Sequence, residues 1–181
     1  MRSNKVPDVI HGDIKPQNVL VFKDATGKTT VRMADFGYST LAAGESGRVL
    51  LPKSRPWNAP EHHFGEFGIS EAKTTDVYSF GMLCLWLLFE KLHIPRGQRD
   101  TATEFIPFDA STGSRSSLEQ LKDNGKLEHI AYQLIDLIPL ASLSAEHRIH
   151  LKQFFSFTIP LNPQRRTSNV GRLVRLLGQE Q

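Results

Sequence analysis

The sequence contains a single cysteine, Cys84, so no disulfide can form within the chain. A lone thiol inside an apolar run fits a reducing compartment, cytoplasmic or nuclear. Long hydrophobic runs are also scarce. The longest extends from Val77 to Phe89, short of the roughly 20 residues that cross a bilayer, and no membrane association is expected. Met1–Ile10 (MRSNKVPDVI) lacks the apolar centre of a secretory signal. No repeat of solenoid period is present. The net charge is only +3, and basic residues gather only in short knots at Arg96–Arg99 and Arg165–Arg166. That dispersion argues against a nucleic-acid surface. Finally, the chain has no G-x-G-x-x-G.

What remains is an ordinary globular composition, 39% hydrophobic and 23% charged over 181 residues. That suffices for one domain, or a large piece of one, with a core that needs no metal or disulfide. Val19–Phe22 and Val31–Met33 are β-branched runs around the Thr26-Gly27 turn signal, which predicts a hairpin. Residues 35–61 hold Gly, Ser and Pro without a period and read as a long functional loop. Asp76 is expected at the first turn of a helix through VYSFGMLCLWLLFEKL, apolar on nearly every side and therefore central. Residues 93–117, with Pro95, Gly97, Pro107 and the Ser111–Ser117 tract, read as an exposed, flexible insert. Leu127–Ile138 has helical spacing, with Ile130 and Leu134 on one side and Pro139 as the stop. Ser144 is the expected cap of SAEHRIHLKQFFSF. A last helix, about Ser168–Leu177, would put Val170, Leu173, Val174 and Leu177 on one stripe. The expected class is α+β, mainly α.

Chemistry concentrates in Asp13, Lys15, Asn18 and Asp35. Transfer of a γ-phosphoryl group needs an oriented acceptor hydroxyl, neutralised charge and a held Mg²⁺. Asp13 can take the hydroxyl proton, and Lys15 can face the transferring oxygens. Asn18 and Asp35 are hard oxygen donors suited to Mg²⁺, and the hairpin between them would bring them together.

The stretches HGDIKPQN (His11–Asn18), DFG (Asp35–Gly37) and APE (Ala59–Glu61) resemble the catalytic loop, metal loop and activation-segment end of eukaryotic protein kinases. DVYSFG (Asp76–Gly81) is similar to the start of the family's central helix, and NPQRR (Asn162–Arg166) to its late Asp-Pro-x-x-Arg element. The resemblance runs from about Val9 to Leu177. It implies a partial protein kinase domain over 1–181, with catalytic loop 11–18, metal loop 35–37, activation segment 35–61 and helical subdomain 70–178. This is the C-terminal lobe with a small β-hairpin, the N-terminal β-rich lobe being missing.

Carried over by residue, the resemblance makes Asp13 the catalytic base, Lys15 a γ-phosphate contact, and Asn18 and Asp35 the Mg²⁺ ligands, with ATP as cofactor. Gln17 would face the ribose through its backbone, and Leu20 would form part of the floor beneath the adenine. Glu61 and Arg166 would form a buried ion pair. Asp76 would hold the catalytic-loop backbone, with His11 packed beneath that loop. Lys15, two residues after the base, and Ser54, three before Trp57, imply transfer to Ser/Thr hydroxyls of a protein substrate. The family's Gly-rich loop, strand lysine and helix glutamate precede the catalytic loop, and Met1–Ile10 is too short to hold them. This chain alone is therefore expected to be inactive, to show no Mg²⁺-ATP-dependent thermal shift, and to associate through its apolar underside.

Two alternatives compete. Aminoglycoside- and choline-type phosphotransferases share His-Gly-Asp, but Lys15, APE and DVYSFG favour a protein kinase. A non-catalytic interaction module is the other, against which the intact Asp13, Asn18 and Asp35 speak. Cys84, Trp86 and Phe89 are expected in the core. His62 and His63 are adjacent and point apart, so no metal site is expected there. Relative to the family pattern, Gly12 stands where Arg is usual, Asn162 for Asp and Thr167 for Pro. Without that Arg, which pairs with a phosphorylated loop, control through Ser39, Thr40 or Ser46 should be weak.

Overall fold

The computed structural model describes residues 9–38, 47–89 and 117–178. The expectations for Ser39, Thr40, Ser46, Arg96–Arg99 and Ser111–Ser116 fall outside them. Two antiparallel strands, β1 (Val19–Lys23) and β2 (Thr29–Met33), form the expected hairpin, with Val19 opposite Met33 and Lys23 opposite Thr29. Asp24 closes its turn by accepting from the Thr26 and Lys28 amides. A second small sheet pairs β3 (Arg48–Leu50) with β4 (Glu66–Gly68). Short 3₁₀ turns span Pro16–Asn18, Pro60–Phe64 and Pro163–Arg165. The helices are α1 (Ile69–Phe89), α2 (Ser117–Asp123), α3 (Leu127–Leu137), α4 (Ala145–Thr158) and α5 (Val170–Leu177). The fold is mainly helical, as expected of a kinase C-terminal lobe.

α1 runs through the middle. Tyr78, Met82, Leu85 and Phe89 are buried in a core shared with α2, α3, α4 and Trp57. A smaller cluster joins Ile10, Val49, Leu51, Phe67 and Ala72 where the second sheet meets the start of α1. Its N-terminus is closed by Glu71, whose carboxylate accepts from the Gly68 amide at 2.9 Å. Gly81 lets α4 come close: a Cβ there would stand 2.6 Å from Thr158 Oγ1 and 2.7 Å from Ile159 Cγ2. The expected cap at α4 is present, Ser144 Oγ accepting from the His147 amide at 3.2 Å. Arg148 reaches from α4 to the carbonyls of Ile135 and Ile138, satisfying the C-terminal end of α3.

Four expectations need correction. Asp76 is not at a helix start: α1 begins at Ile69, because the polar run SEAKTT hides two helical turns whose buried residues are Ala72 and Thr75. The atypical insert expected from Leu92 to about Lys126 holds a helix near its end, α2, which buries Leu118 and packs Leu121 against the core. The long loop contains β3, a strand too short to give a period. The stripe on α5 is rotated: Leu173 is buried and Leu176 half-buried, whereas Val170 and Val174 are 60% and 55% exposed. A single narrow strip suffices for α5 to pack on α4, helped by Arg172 lying 3.8 Å over the Phe157 ring.

Gly81→Ala tests the α1–α4 contact. Alanine favours a helix by about 1 kcal/mol, but overpacking costs roughly 1–3 kcal/mol, so urea unfolding should show net destabilisation. A neutral or stabilising result would contradict the close approach.

Candidate active site

Asp76 anchors the loop that carries Asp13. Its carboxylate accepts from the His11 amide at 2.6 Å and the Gly12 amide at 2.9 Å. Burial pushes the Asp76 carboxyl up from its ordinary range, and the two amide donors oppose that shift. His11, itself buried, spans two segments. Its Nδ1 accepts from the Asp13 amide at 3.2 Å, which leaves Nε2 to donate to the Ala34 carbonyl at 2.9 Å. Its ring also packs on Phe36, with centroids 4.8 Å apart. Gly12 has φ +82, and a Cβ there would meet Leu51 Cδ2 at 3.0 Å and the Tyr38 carbonyl at 3.2 Å. The chain therefore crosses this point with no room for a side chain.

Asp13 is 5% exposed. Its Oδ2 takes the Lys15 ammonium at 2.6 Å and the Asn18 amide at 3.2 Å. Lys15 also donates to Ser54 Oγ at 3.1 Å. Burial raises the Asp13 carboxyl, but hydrogen bonding from Lys15 and Asn18, the nearby Ser54 hydroxyl and the Lys15 charge outweigh it, and the net direction is down. Asp13 is thus ionised at neutral pH. Its other oxygen, Oδ1, is buried and has no hydrogen-bond partner among the described residues. An orphaned carboxylate oxygen normally costs about 1–3 kcal/mol or more, and such atoms mark sites with a use for them.

Asn18 donates a second bond to the Asp13 carbonyl at 2.8 Å, which turns its own side-chain oxygen away from Asp13. The Ala34 amide bonds to the Asn18 carbonyl at 2.9 Å, so the hairpin does bring the neighbourhoods of Asn18 and Asp35 together. Asp35 is exposed and holds φ 61, a left-handed conformation unfavourable for a residue with a Cβ. The donor set, one amide oxygen and one exposed carboxylate, fits a hard cation such as Mg²⁺, which takes few protein ligands and keeps phosphate and water. Gln17 is exposed, and Leu20 is 43% exposed on β1.

A second anchor lies at the far end of the segment. Arg166 forks onto Glu61, NH1 to Oε1 and NH2 to Oε2 at 3.0 Å, and also donates to the carbonyls of Pro160, Leu161 and Thr74. Its guanidinium lies 4.6 Å from the Tyr78 ring. Sequence reasoning missed the His11 bridge to Ala34, the Tyr78 platform and Lys122, whose Nζ reaches the Pro56 carbonyl at 3.1 Å. The His11 bridge could have been suspected from a histidine beside the acid. The others had no local signal. Cys84 is half-buried, its thiol pushed up to about 12 by burial, and Trp86 and Phe89 join the core. His62 is buried, with Nδ1 near the Ala59 carbonyl at 3.2 Å. Among the described residues no helix is long and apolar enough to cross a membrane.

A sequence model of the protein kinase domain matches residues 3–170. The chain belongs to the protein kinase family. The chain is 36% identical over 107 residues to PTI1-like tyrosine-protein kinase 1 of Arabidopsis thaliana, covering 56% of this chain and 28% of that one. It is 30% identical over 99 residues to ribosomal protein S6 kinase alpha-6 of Danio rerio, 54% of this chain and 13% of that one. With probable serine/threonine-protein kinase gdt8 of Dictyostelium discoideum it shares 35% over 85 residues, 47% and 6% of the two chains. The matched part is thus well under a third of each of these relatives. The kinase family generally uses ATP and Mg²⁺ and acts on protein substrates.

Removing Arg166 should strand Glu61 and three backbone carbonyls. Arg166→Met is expected to cost about 3–5 kcal/mol in chemical denaturation, and Arg166→Lys should recover only part of it, since lysine lacks the planar fork. A loss under about 1 kcal/mol for Arg166→Met would show the pair to be a surface-like contact.

Proposed function

We propose that the chain transfers the γ-phosphate of ATP to a Ser or Thr hydroxyl of a protein, within a partial kinase domain laid out over residues 11–18, 35–61 and 70–178. The observation that carries the reading is the orphaned Oδ1 of a buried, ionised Asp13. An incoming hydroxyl can donate to that oxygen, which completes its hydrogen bonding and orients the nucleophile. As the hydroxyl oxygen attacks the γ-phosphorus, the bond to the bridging oxygen breaks, ADP leaves and the hydroxyl proton passes to Asp13. Lys15, already 2.6 Å from Asp13, then faces the transferring oxygens, while Ser54 limits its swing.

Asn18 and Asp35 would hold Mg²⁺, which when bound neutralises charge on the phosphates. Gln17 and Leu20 belong to the nucleotide side, where their exposure leaves them free to meet adenosine. No G-x-G-x-x-G lies within the 181 residues, so transfer requires a covering loop from another segment. The reducing-compartment reading rests on Cys84 alone. Ser54 beside Lys15 supports a Ser/Thr acceptor, and two of the named relatives are a ribosomal protein S6 kinase and a probable serine/threonine kinase. The PTI1-like relative carries a tyrosine-kinase name, which makes a Tyr acceptor the second reading.

The test is transfer from γ-labelled ATP to matched Ser, Thr and Tyr peptides, with the chain alone and joined to a kinase N-terminal lobe. Ser and Thr peptides should be labelled by the joined form. Asp13→Asn should lose about 10²–10⁴ of the rate with little change in peptide KM. Labelling of the Tyr peptide alone would overturn the acceptor assignment, and full activity of Asp13→Asn would overturn the base.

A further inference from the structure

Lys122 sits in the last turn of α2 and is 5% exposed. Lysine is rarely buried this far without a purpose. Its Nζ donates to the Pro56 carbonyl at 3.1 Å and lies 6.0 Å from the Tyr78 ring centroid of α1. Neither the phosphate chemistry nor the Glu61–Arg166 pair uses it.

Its target is the turn that carries Ser54. The Asn58 amide bonds to the Ser54 carbonyl at 3.0 Å, so Pro56 lies inside a closed turn with Ser54 at its start. Ser54 Oγ in turn accepts from Lys15, which pairs with Asp13. Arg55 adds a second tie to α2 through Glu119 at 3.5 Å, although this pair is largely solvent-exposed on the arginine side and contributes little.

We propose that Lys122 is a positioning residue for the acceptor-side loop: by gripping Pro56 it fixes Ser54 against Lys15 and Asp13, and so couples α2 to the reacting end of the site. The inference rests on the reading of Asp13 as the base.

The grip is sensitive to pH. Burial lowers the Lys122 ammonium to about 8. Glu119 and Asp123 of its own helix and Glu61 of the neighbouring 3₁₀ turn draw it up, and Arg55 of the loop pushes it down. Arg166 also stands over the shared Tyr78 ring. Below about 8 the ammonium is charged and its hydrogen bond is charge-assisted. Above it, a neutral amine holds the carbonyl less strongly, and the loop should loosen.

The test is NMR of the 181-residue chain from about pH 6 to about 10, following the Lys122 Cε signal and the Ser54, Trp57 and Asn58 amides. The loop amides should titrate with the Lys122 midpoint near 8. In Lys122→Met that titration should vanish and the amides should move at neutral pH, with α4 amides unchanged. Loop amides that ignore Lys122, in either protein, would overturn the proposal, and if the variant does not fold the wild-type titration decides alone. In the joined, active form, Lys122→Met should lower peptide kcat/KM roughly tenfold, as for one lost charge-assisted bond, and should abolish the wild-type fall in kcat/KM above about pH 8. An unchanged kcat/KM, or a fall above about pH 8 that persists in Lys122→Met, would contradict a positioning role. Absence of transfer by the wild type would contradict the phosphotransfer reading, while the NMR still judges Lys122.

Discussion

The site depends on one carboxylate. Asp76, partly buried in α1, accepts two consecutive backbone amides, from His11 and Gly12, and thereby fastens a segment with no regular structure to the most buried helix of the fold. Two consecutive amides can converge on one carboxylate only if the backbone bends sharply, and Gly12 at φ +82 supplies that bend. The bend then delivers Asp13 into a buried position and presents the His11 ring to Ala34. One charge on one helix thus sets both the proposed base and the strand end that leads to Asp35.

The far end of the stretch that follows β2, at Glu61, is fastened to the same helix. Arg166 joins Glu61 to the Thr74 carbonyl and rests on Tyr78, two residues that flank Asp76 on α1. Lys122 adds a third hold, beneath Pro56 and beside the same tyrosine. The Asn18–Asp35 side and the Ser54 side therefore share α1 as a common reference. Its own position is fixed by the bare Gly81 against Thr158. Packing at one end of α1 and polar fastening at the other are parts of one device.

Much of this was legible in the sequence. Asp13, Lys15, Asn18, Asp35, Glu61, Asp76 and Arg166 stand in a recognisable order, and the hairpin and the capped α4 follow from local propensity. The rest depends on contacts distant in sequence. The early turns of α1 are largely solvent-facing, with only Ala72 and Thr75 buried, so no apolar period marks them. β3 is three residues long and exists only because β4 pairs with it. The face of α5 is chosen by α4, not by its own stripe. Lys122 looks like a surface lysine until the loop at 54–58 is laid over it.

Amide hydrogen exchange at His11 and Gly12 tests the central claim most directly. If Asp76 fastens the loop to the core, both amides should exchange only through global unfolding, as slowly as the Tyr78 amide, and Asp76→Ala should release them while the core of α4 stays protected. Exchange in the wild type as fast as at the exposed Thr26–Gly27 turn would contradict it.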